Sequence, residues 1–244
     1  MRPRFGLGGR LVPLALAASV VAATPAAAFT DEEKKELGPI IREYIIANPE
    51  VLEEAITVLE ARHNEAQSEQ RTKALEQVRE LVLTSPHNVV IGNPKGDVTL
   101  VEFFDYNCGY CRKALGDLKQ LMKDDPNLRV VLREFPVLGQ GSVEAAQVAI
   151  ALRMVAPDKY LAFHEALFST PGPIDREKAL AAAESVGVNV EELEKKASSP
   201  ELNASLDESM KIASVLGLNG TPSYIVGDQV VVGAVGHDKL IAAI

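Results

Sequence analysis

The 244-residue sequence contains no tryptophan, only two cysteines and 5% aromatic residues, although 47% of its residues are hydrophobic and 24% are charged. The hydrophobic fraction is typical of a globular protein of one or two domains, which excludes a disordered chain and a collagen-like repeat. The two cysteines, Cys108 and Cys111, can form at most one disulfide within a chain, and it would close too short a loop to stabilise a fold. We therefore expect these thiols to have a chemical role.

Long apolar runs are also scarce. The main one, residues 11–23, follows three arginines and precedes Ala26-Ala27-Ala28, a small-residue cleavage pattern. This order is typical of a secretory signal peptide over residues 1–28, cleaved after about Ala28, and it predicts export to the periplasm. A retained membrane anchor is the alternative, but the run is interrupted by Pro13 and is shorter than the roughly 20 residues that span a bilayer.

Basic side chains are too few for nucleic-acid binding. The chain carries 25 basic and 34 acidic side chains, a net charge of −9. The predicted signal peptide removes three arginines and no acid, so the exported chain has 22 basic side chains and a net charge of −12. Such a charge repels phosphate backbones.

Residues 29–83 are predicted to form a helical arm. Thr30 and the three acidic residues after it are typical of a helix start, because they match the free N–H groups and the positive end of the helix dipole. Apolar residues then recur at helical spacing, and Pro49 begins a second helix. The apolar positions are Leu37, Ile40, Ile41, Tyr44 and Ile45, followed by Leu52, Ala55, Ile56 and Leu59.

The polar stretch 61–73 leaves two interpretations of the arm open. It is either a helix surrounded by solvent or a flexible linker, and the apolar pattern resumes only at Leu75, Val78 and Val82. Residues 30–59 thus have an apolar stripe with little chain nearby to cover it. We expect a second copy of the chain to cover the stripe, and the alternative is an arm that folds back on its own domain.

Residues 84–244 have the pattern of an α/β domain. Residues 98–104 and 128–135 are predicted strands, and a hairpin is predicted at 223–226 and 229–232 around Gly227-Asp228. The signals at about 140–216 are all helical, so five short helices form an insertion between the strands. A last helix starts near His237. The predicted helix caps of the insertion are Ser142, Asp158, Asp175, Asn189 and Ser199.

The Cys-x-x-Cys motif lies between a predicted strand and a predicted helix. Backbone N–H groups at the helix start favour the thiolate form of Cys108, which makes it the candidate nucleophile. Cys111, three residues on, can attack a mixed disulfide formed at Cys108 and release the partner protein. A zinc site and a structural disulfide are the alternatives, but the four histidines have no ligand spacing. We expect no metal and no cofactor.

Two further features are unusual for their positions. Glu102 interrupts an otherwise apolar strand, where burial would raise the pKa of its carboxyl; it is a candidate proton acceptor for Cys111, unless it reaches water at a strand edge. Pro222, in Gly220-Thr221-Pro222, cannot lie inside a paired strand and indicates a bulge, an edge or a cis bond.

Together these features resemble the thioredoxin fold in its DsbA-like form over residues 88–244. The resemblance implies that Pro222 is a cis-proline facing the cysteines and that the backbone of Thr221 binds substrate. It also implies that Glu102 is the buried acid of the family and that Cys108 and Cys111 are the redox pair. The arm, including Asn48-Pro49-Glu50-Val51-Leu52, resembles the N-terminal region of ScsC-type proteins, suppressors of copper sensitivity, which can trimerise their protein.

The residues between the cysteines, Gly109 and Tyr110, differ from the Pro-His of DsbA-like oxidases. They match the Cys-Gly-Tyr-Cys of DsbC-type isomerases, and Tyr110 either contacts clients or only tunes the turn. The first hypothesis is therefore an oligomeric disulfide isomerase or reductase that acts on misfolded exported proteins and is kept reduced by a membrane thiol donor. A DsbA-like oxidase and a protein that binds Cu(I) through its thiolates are the alternatives.

His164 is interpreted as a helix surface residue, and Arg112 and Lys113 either hold the Cys108 thiolate or are solvated.

Overall fold

The structure is a computed structural model that describes residues 29–196 and 199–244. The predicted signal peptide lies outside the described residues. The chain divides into two compact units, with the boundary between Val58 and Leu59, and each unit is described by itself. No helix in the described part of the chain is both long enough and apolar enough to span a membrane.

The first helix of the arm, α1, spans Asp31–Ala47. It starts as predicted, because the Thr30 hydroxyl accepts the Glu33 N–H while the Glu33 carboxylate accepts the Thr30 N–H at 2.7 Å. None of its residues is buried. The large exposed apolar side chains of the arm are Phe29, Ile40, Ile41, Tyr44, Ile46, Val51, Leu52, Ile56, Val58 and Leu59.

The second helix, α2, is continuous over Glu50–Thr84, so the polar stretch 61–73 is helical. It begins one residue after the predicted start at Pro49. Leu75, Val78 and Val82 at its end are buried against the sheet, which means that the core of the second unit includes residues that the sequence assigned to the arm.

The core of the second unit is a five-stranded sheet. Its strands are β1 Val89–Gly92, β2 Val98–Phe104, β3 Leu128–Glu134, β4 Ser223–Val226 and β5 Gln229–Val232, and they lie in the order β1-β3-β2-β4-β5. Strand β2 pairs parallel with β3 and antiparallel with β4, while β1 and β5 form antiparallel edges. The two central strands and the hairpin lie within a residue of their predicted bounds, whereas β1 was not predicted.

Helices cover both faces of this sheet. They are α3 Gly109–Asp124, α4 Gln140–Val155, α5 Tyr160–Ser169, α6 Arg176–Ser185, α7 Val190–Lys196, α8 Pro200–Val215 and α9 His237–Ala243. Leu100 and Phe104 of β2 pack on one face with α3, α4, α5 and α6, while Val101 and Phe103 pack on the other with α2 and α8. Full burial of each such side chain contributes about 1.5–3 kcal/mol. The structure confirms an α/β thioredoxin fold with a helical insertion.

Two of the five predicted caps of the insertion are wrong. Helix α4 begins before Ser142, after Gly139, whose φ of 113° is open to glycine without strain. Asp158 lies inside a short 3₁₀ turn, Pro157–Lys159, that leads directly into α5. The other three side chains, Asp175, Asn189 and Ser199, accept backbone N–H groups of the following turn as predicted.

His164 is also placed differently from the prediction. It is buried, not on a helix surface, because α5 is apolar on several sides and packs into the core with aromatic rings around the imidazole. The ring of Phe104 lies edge-on to it at 4.8 Å between centroids, and so does that of Phe168. Burial lowers the pKa of His164 to about 3, so the imidazole is neutral at neutral pH.

Candidate active site

The cysteine motif begins where β2 gives way to α3. The chain turns through Asp105-Tyr106-Asn107, and the Cys108 N–H donates to the Asp105 carbonyl at 3.0 Å. Cys108 is the N-cap residue of α3, with extended backbone angles. Its own carbonyl accepts the Arg112 N–H, which closes the first turn of the helix. The strand–turn–helix sequence therefore places Cys108 at a helix N-terminus, as the spacing predicts.

Thr221 and Pro222 lie against Cys108. The Thr221–Pro222 peptide is cis, and the Cys108 thiol donates to the Thr221 carbonyl with an Sγ–O distance of 3.2 Å. Strand β4 starts at the next residue, and the Gly233 N–H donates to the Pro222 carbonyl at 2.8 Å. The backbone of the segment before β4 thus runs beside the first cysteine.

Cys111 lies deeper than Cys108 on the same helix. It is 1% exposed, compared with 7% for Cys108, and both are free thiols. Burial is the main cause that raises the pKa of the Cys111 thiol, and the charge of Glu102 raises it further. A proton acceptor near Cys111 would therefore matter for its reactivity.

Glu102 is in the middle of β2, between Leu132 of β3 and Tyr224 of β4 in register. Leu100 and Phe104 are two residues before and two residues after it, so all three side chains lie on the same face of the sheet. This is the face that α3 covers. It is 2% exposed, which decides against a side chain that reaches water at a strand edge. Burial raises its pKa to about 8.

The two residues between the cysteines differ from their neighbours in exposure. Gly109 and Tyr110 are both exposed, and Tyr110 is 68% exposed. The Arg112 side chain has a partner other than the cysteines, since its Nη2 donates to the Thr170 carbonyl at the end of α5. Apart from its neighbours in the chain, no atom of the described residues lies within 4 Å of the place where a Cβ on Gly109 would be.

Asp105, Asn107 and His164 belong to the surroundings of the site, although sequence analysis assigned them no role. Asp105 is 2% exposed and accepts three backbone N–H groups. Asp105 and Asn107 could have been predicted as an acid and an amide just before a nucleophilic cysteine, because such polar side chains order turns. Among the described residues, no group of three or more His, Cys, Asp or Glu side chains is placed to hold a metal ion.

Comparison with known proteins agrees with this geometry. The model of the DSBA-like thioredoxin domain matches residues 99–244, more than half of the chain. The chain belongs to the DsbA-like thioredoxin family. Residues 33–66 match a second model, the N-terminal domain of the copper resistance protein ScsC, as the resemblance of the arm implied.

Several solved structures are similar to the chain. A thioredoxin-like oxidoreductase from Silicibacter pomeroyi is 45% identical, with a TM-score of 0.65 over 68% of this chain and 94% of that one. ScsC from Proteus mirabilis, in a transitional conformation, is 27% identical with a TM-score of 0.64, over 88% of this chain and 95% of its own. BcfH from Salmonella enterica Typhimurium is 25% identical with a TM-score of 0.72, over 87% and 94%.

Curated relatives include much longer proteins. A Na(+)/H(+) antiporter NhaA from Salinispora arenicola is 26% identical over 157 residues, which are 64% of this chain and 24% of the antiporter. An NhaA from Herminiimonas arsenicoxydans is 28% identical, again over 24% of its length. The chain therefore spans about a quarter of the curated relatives that it matches.

Proposed function

We propose that this protein catalyses thiol–disulfide exchange in exported proteins, with Cys108 as nucleophile and Cys111 as resolving thiol. The observation that carries the proposal is the contact between Cys108 Sγ and the Thr221 carbonyl, beside a backbone segment that a client could pair with. Membership of the DsbA-like family supports the same chemistry. The predicted signal peptide supports action in the periplasm.

The exchange follows from the placement of the two sulfurs. The Cys108 thiolate attacks one sulfur of a client disulfide, so the client S–S bond breaks, one client thiolate leaves and a mixed disulfide forms. Cys111 then gives its proton to Glu102 in the ionised carboxylate form and attacks Cys108, which releases the second client thiol. The client gains two electrons and the protein keeps a Cys108–Cys111 disulfide. In isomerisation a client thiolate attacks the mixed disulfide instead, and Cys108 leaves reduced.

Glu102 suits the role of proton acceptor because of its burial. A carboxyl with an ordinary pKa is too weak a base to take a proton from a thiol readily, whereas a pKa of about 8 brings it closer to that of a thiol. Its place on the sheet face covered by α3 puts it on the side of Cys111. Glu102 is therefore assigned to the resolution step.

The direction of exchange is assigned to isomerisation or reduction. Gly109 and Tyr110 stand where DsbA-like oxidases have Pro-His. The histidine of those oxidases stabilises the reduced thiolate, and this favours oxidation of clients. A protein that isomerises must be kept reduced, so we assign it a membrane thiol donor as partner. The clients are misfolded exported proteins, and the residues that contact them are Gly109, Tyr110, Thr221 and Pro222.

The arm is assigned to self-association, with a trimer as the candidate assembly. Its exposed apolar side chains recur at helical spacing on α1 and the first turns of α2. Burial of such a stripe between copies would remove this area from water and bring several Cys108 sites around one client, which raises their effective concentration. The match to the ScsC N-terminal domain over residues 33–66 supports this assignment.

Refolding of scrambled ribonuclease tests the assigned activity. We expect the reduced protein to restore ribonuclease activity, and Cys108→Ser to abolish the effect. Faster oxidation of reduced ribonuclease than repair of the scrambled form would favour an oxidase instead. The redox state of Cys108 and Cys111 in the periplasm gives a second readout. Free thiols that can be trapped indicate an isomerase, and a disulfide between the two residues indicates an oxidase.

Light scattering tests the arm. Ile41→Lys adds a charge to the apolar stripe, and Glu43→Lys adds the same residue at another exposed position of α1. We expect Ile41→Lys to lower the oligomeric state and slow isomerisation, while Glu43→Lys leaves both unchanged. A monomeric unmodified protein would refute the assignment.

Copper binding is the second candidate, because the arm matches a domain named for copper resistance. Cys108 and Cys111 are soft ligands of the kind that Cu(I) prefers, alone or between two copies. Titration of the reduced protein with Cu(I) against a competing chelator tests it. Sub-nanomolar binding, retained in a variant that cannot turn over clients, would favour this role.

A further inference from the structure

The three residues between β2 and Cys108 each bind a different segment of the protein. The buried Asp105 carboxylate accepts the N–H of Asn107 at 2.8 Å, and those of Val137 and Leu138 at 2.8 and 2.9 Å. Val137 and Leu138 lie in the loop that joins β3 to α4. Three donors satisfy a carboxylate that water cannot reach, and they fasten this loop to the turn.

Tyr106 joins the turn to α5. Its hydroxyl lies 3.1 Å from His164 Nδ1 and 3.4 Å from the Tyr160 hydroxyl, and Tyr160 in turn donates to the Glu134 carboxyl. All four side chains are buried. The ring of Tyr106 therefore fixes the turn from inside the core.

Asn107 joins the turn to two parts of the helical insertion. Its Nδ2 donates to the Ile174 carbonyl at 2.9 Å and to Ser142 Oγ at 3.1 Å, while its Oδ1 accepts the Ile174 N–H at 2.7 Å. The segment it grips has little room to move, because a Cβ on Gly141 would lie 2.3 Å from the Ile174 carbonyl oxygen. One amide side chain thus saturates the backbone of Ile174 and reaches the first turn of α4.

We propose that Asn107 is a positioning residue that holds Cys108 in its reactive place by fixing the active-site turn to the helical insertion. The inference rests on the proposed exchange at Cys108. Asn107 immediately precedes Cys108, so a shift of its backbone moves Sγ away from both the helix start and the Thr221 carbonyl. Displacements of about 1 Å at a reacting group can cost on the order of a hundredfold in rate. The insertion is accordingly part of the support of the active site.

The test compares Asn107→Ala with a matched loss of hydrogen bonds elsewhere. Asn93 Nδ2 donates to the Pro126 carbonyl at 3.3 Å and its Oδ1 accepts the Lys95 N–H at 2.9 Å. Asn93 lies near the start of the parallel strands β2 and β3, at the end of the sheet away from Cys108. Asn93→Ala therefore reports loss of a similar side-chain network without displacement of Cys108.

The readouts are the rate constant of the reduced protein with oxidised glutathione and the equilibrium constant of its disulfide with glutathione. We expect Asn107→Ala to lower the rate constant at least about tenfold and to shift the equilibrium toward the protein disulfide at least about threefold, because the reduced form loses the position that favours its thiolate. Asn93→Ala should change either by less than about twofold. Equal effects of the two variants, or no effect of Asn107→Ala, would overturn the proposal.

A second variant keeps the test valid if Asn107→Ala does not fold. Ser142→Ala removes one of the three contacts and leaves both bonds to Ile174. We expect it to lower the rate constant by about two- to threefold, and an unchanged rate constant would count against the proposal. Glutathione needs no protein client, so failure of client refolding alone would refute the proposed function and leave the role of Asn107 standing.

Discussion

Replacement of Glu102 by Gln should make stability less dependent on pH. Burial raises the pKa of this carboxyl from its ordinary value of 4.5 to about 8. Between pH 4.5 and about 8, Glu102 therefore keeps its proton in the folded chain but has lost it in the unfolded chain. The stability that this carboxyl contributes is fully present below pH 4.5 and is lost as the pH rises toward 8. At 1.36 kcal/mol per pH unit, the loss is about 5 kcal/mol. Gln has no proton to lose, so Glu102→Gln should escape the loss.

Urea unfolding of the reduced proteins at pH 5, 7 and 8.5 measures this effect. The free energy of unfolding of Glu102→Gln relative to the unmodified protein should increase steadily with pH, by several kcal/mol in total. Titration of His164 and of the surface is common to both proteins and cancels in the difference. Glu76→Gln, at an exposed position of α2, is the matched control and should show a flat difference.

A pH-independent difference for Glu102→Gln would mean that the carboxyl is ionised and solvated in the folded protein. The argument that burial makes it a suitable base for Cys111 would then fail. The kinetic counterpart is the lifetime of the mixed disulfide, which Glu102→Gln should prolong at least about tenfold if Glu102 accepts the Cys111 proton.

Three further substitutions test the packing and electrostatics of the second unit. Phe103→Ala should lower the free energy of unfolding by about 3–5 kcal/mol in urea, because the ring is fully buried, and a loss below about 1 kcal/mol would contradict its place in the core. Arg133→Met should cost about 3–5 kcal/mol by leaving Glu208 without its 2.8 Å partner, and Glu208→Gln should recover part of that loss in the double variant. His164→Phe should reduce acid sensitivity, since stability present above pH 6.5 is lost as the pH falls toward the lowered pKa of about 3; an unchanged acid midpoint would show that His164 is hydrated.

Much of the fold could be predicted because its signals are local. Strand β2 is apolar on both faces and the hairpin has a Gly227-Asp228 turn between β-branched runs, so their bounds follow from adjacent residues. Strand β1 has no such signal. It is four residues long and exists by pairing with β3, about forty residues further along the chain, which no local pattern records.

The site shows the same division. The cysteines, Glu102 and Pro222 stand out because each is unusual for its own position in the sequence. The partners of Asn107 and His164 are distant in sequence, Ile174 in one case and Tyr106 in the other, so neither contact could be predicted from spacing. His164 was interpreted as a surface residue because the apolar residues of 160–168 recur at helical spacing, and the aromatic cluster that buries it forms only in the folded chain.

Trapping of the mixed disulfide tests the central claim most directly. Reduced Cys111→Ser, mixed with scrambled ribonuclease and quenched with acid, should retain a covalent adduct in which mass spectrometry finds Cys108 joined to a client cysteine. Cys108→Ser under the same conditions should give none, because Cys111 is buried. Adducts of equal yield from both variants, or none from Cys111→Ser, would contradict Cys108 as the nucleophile.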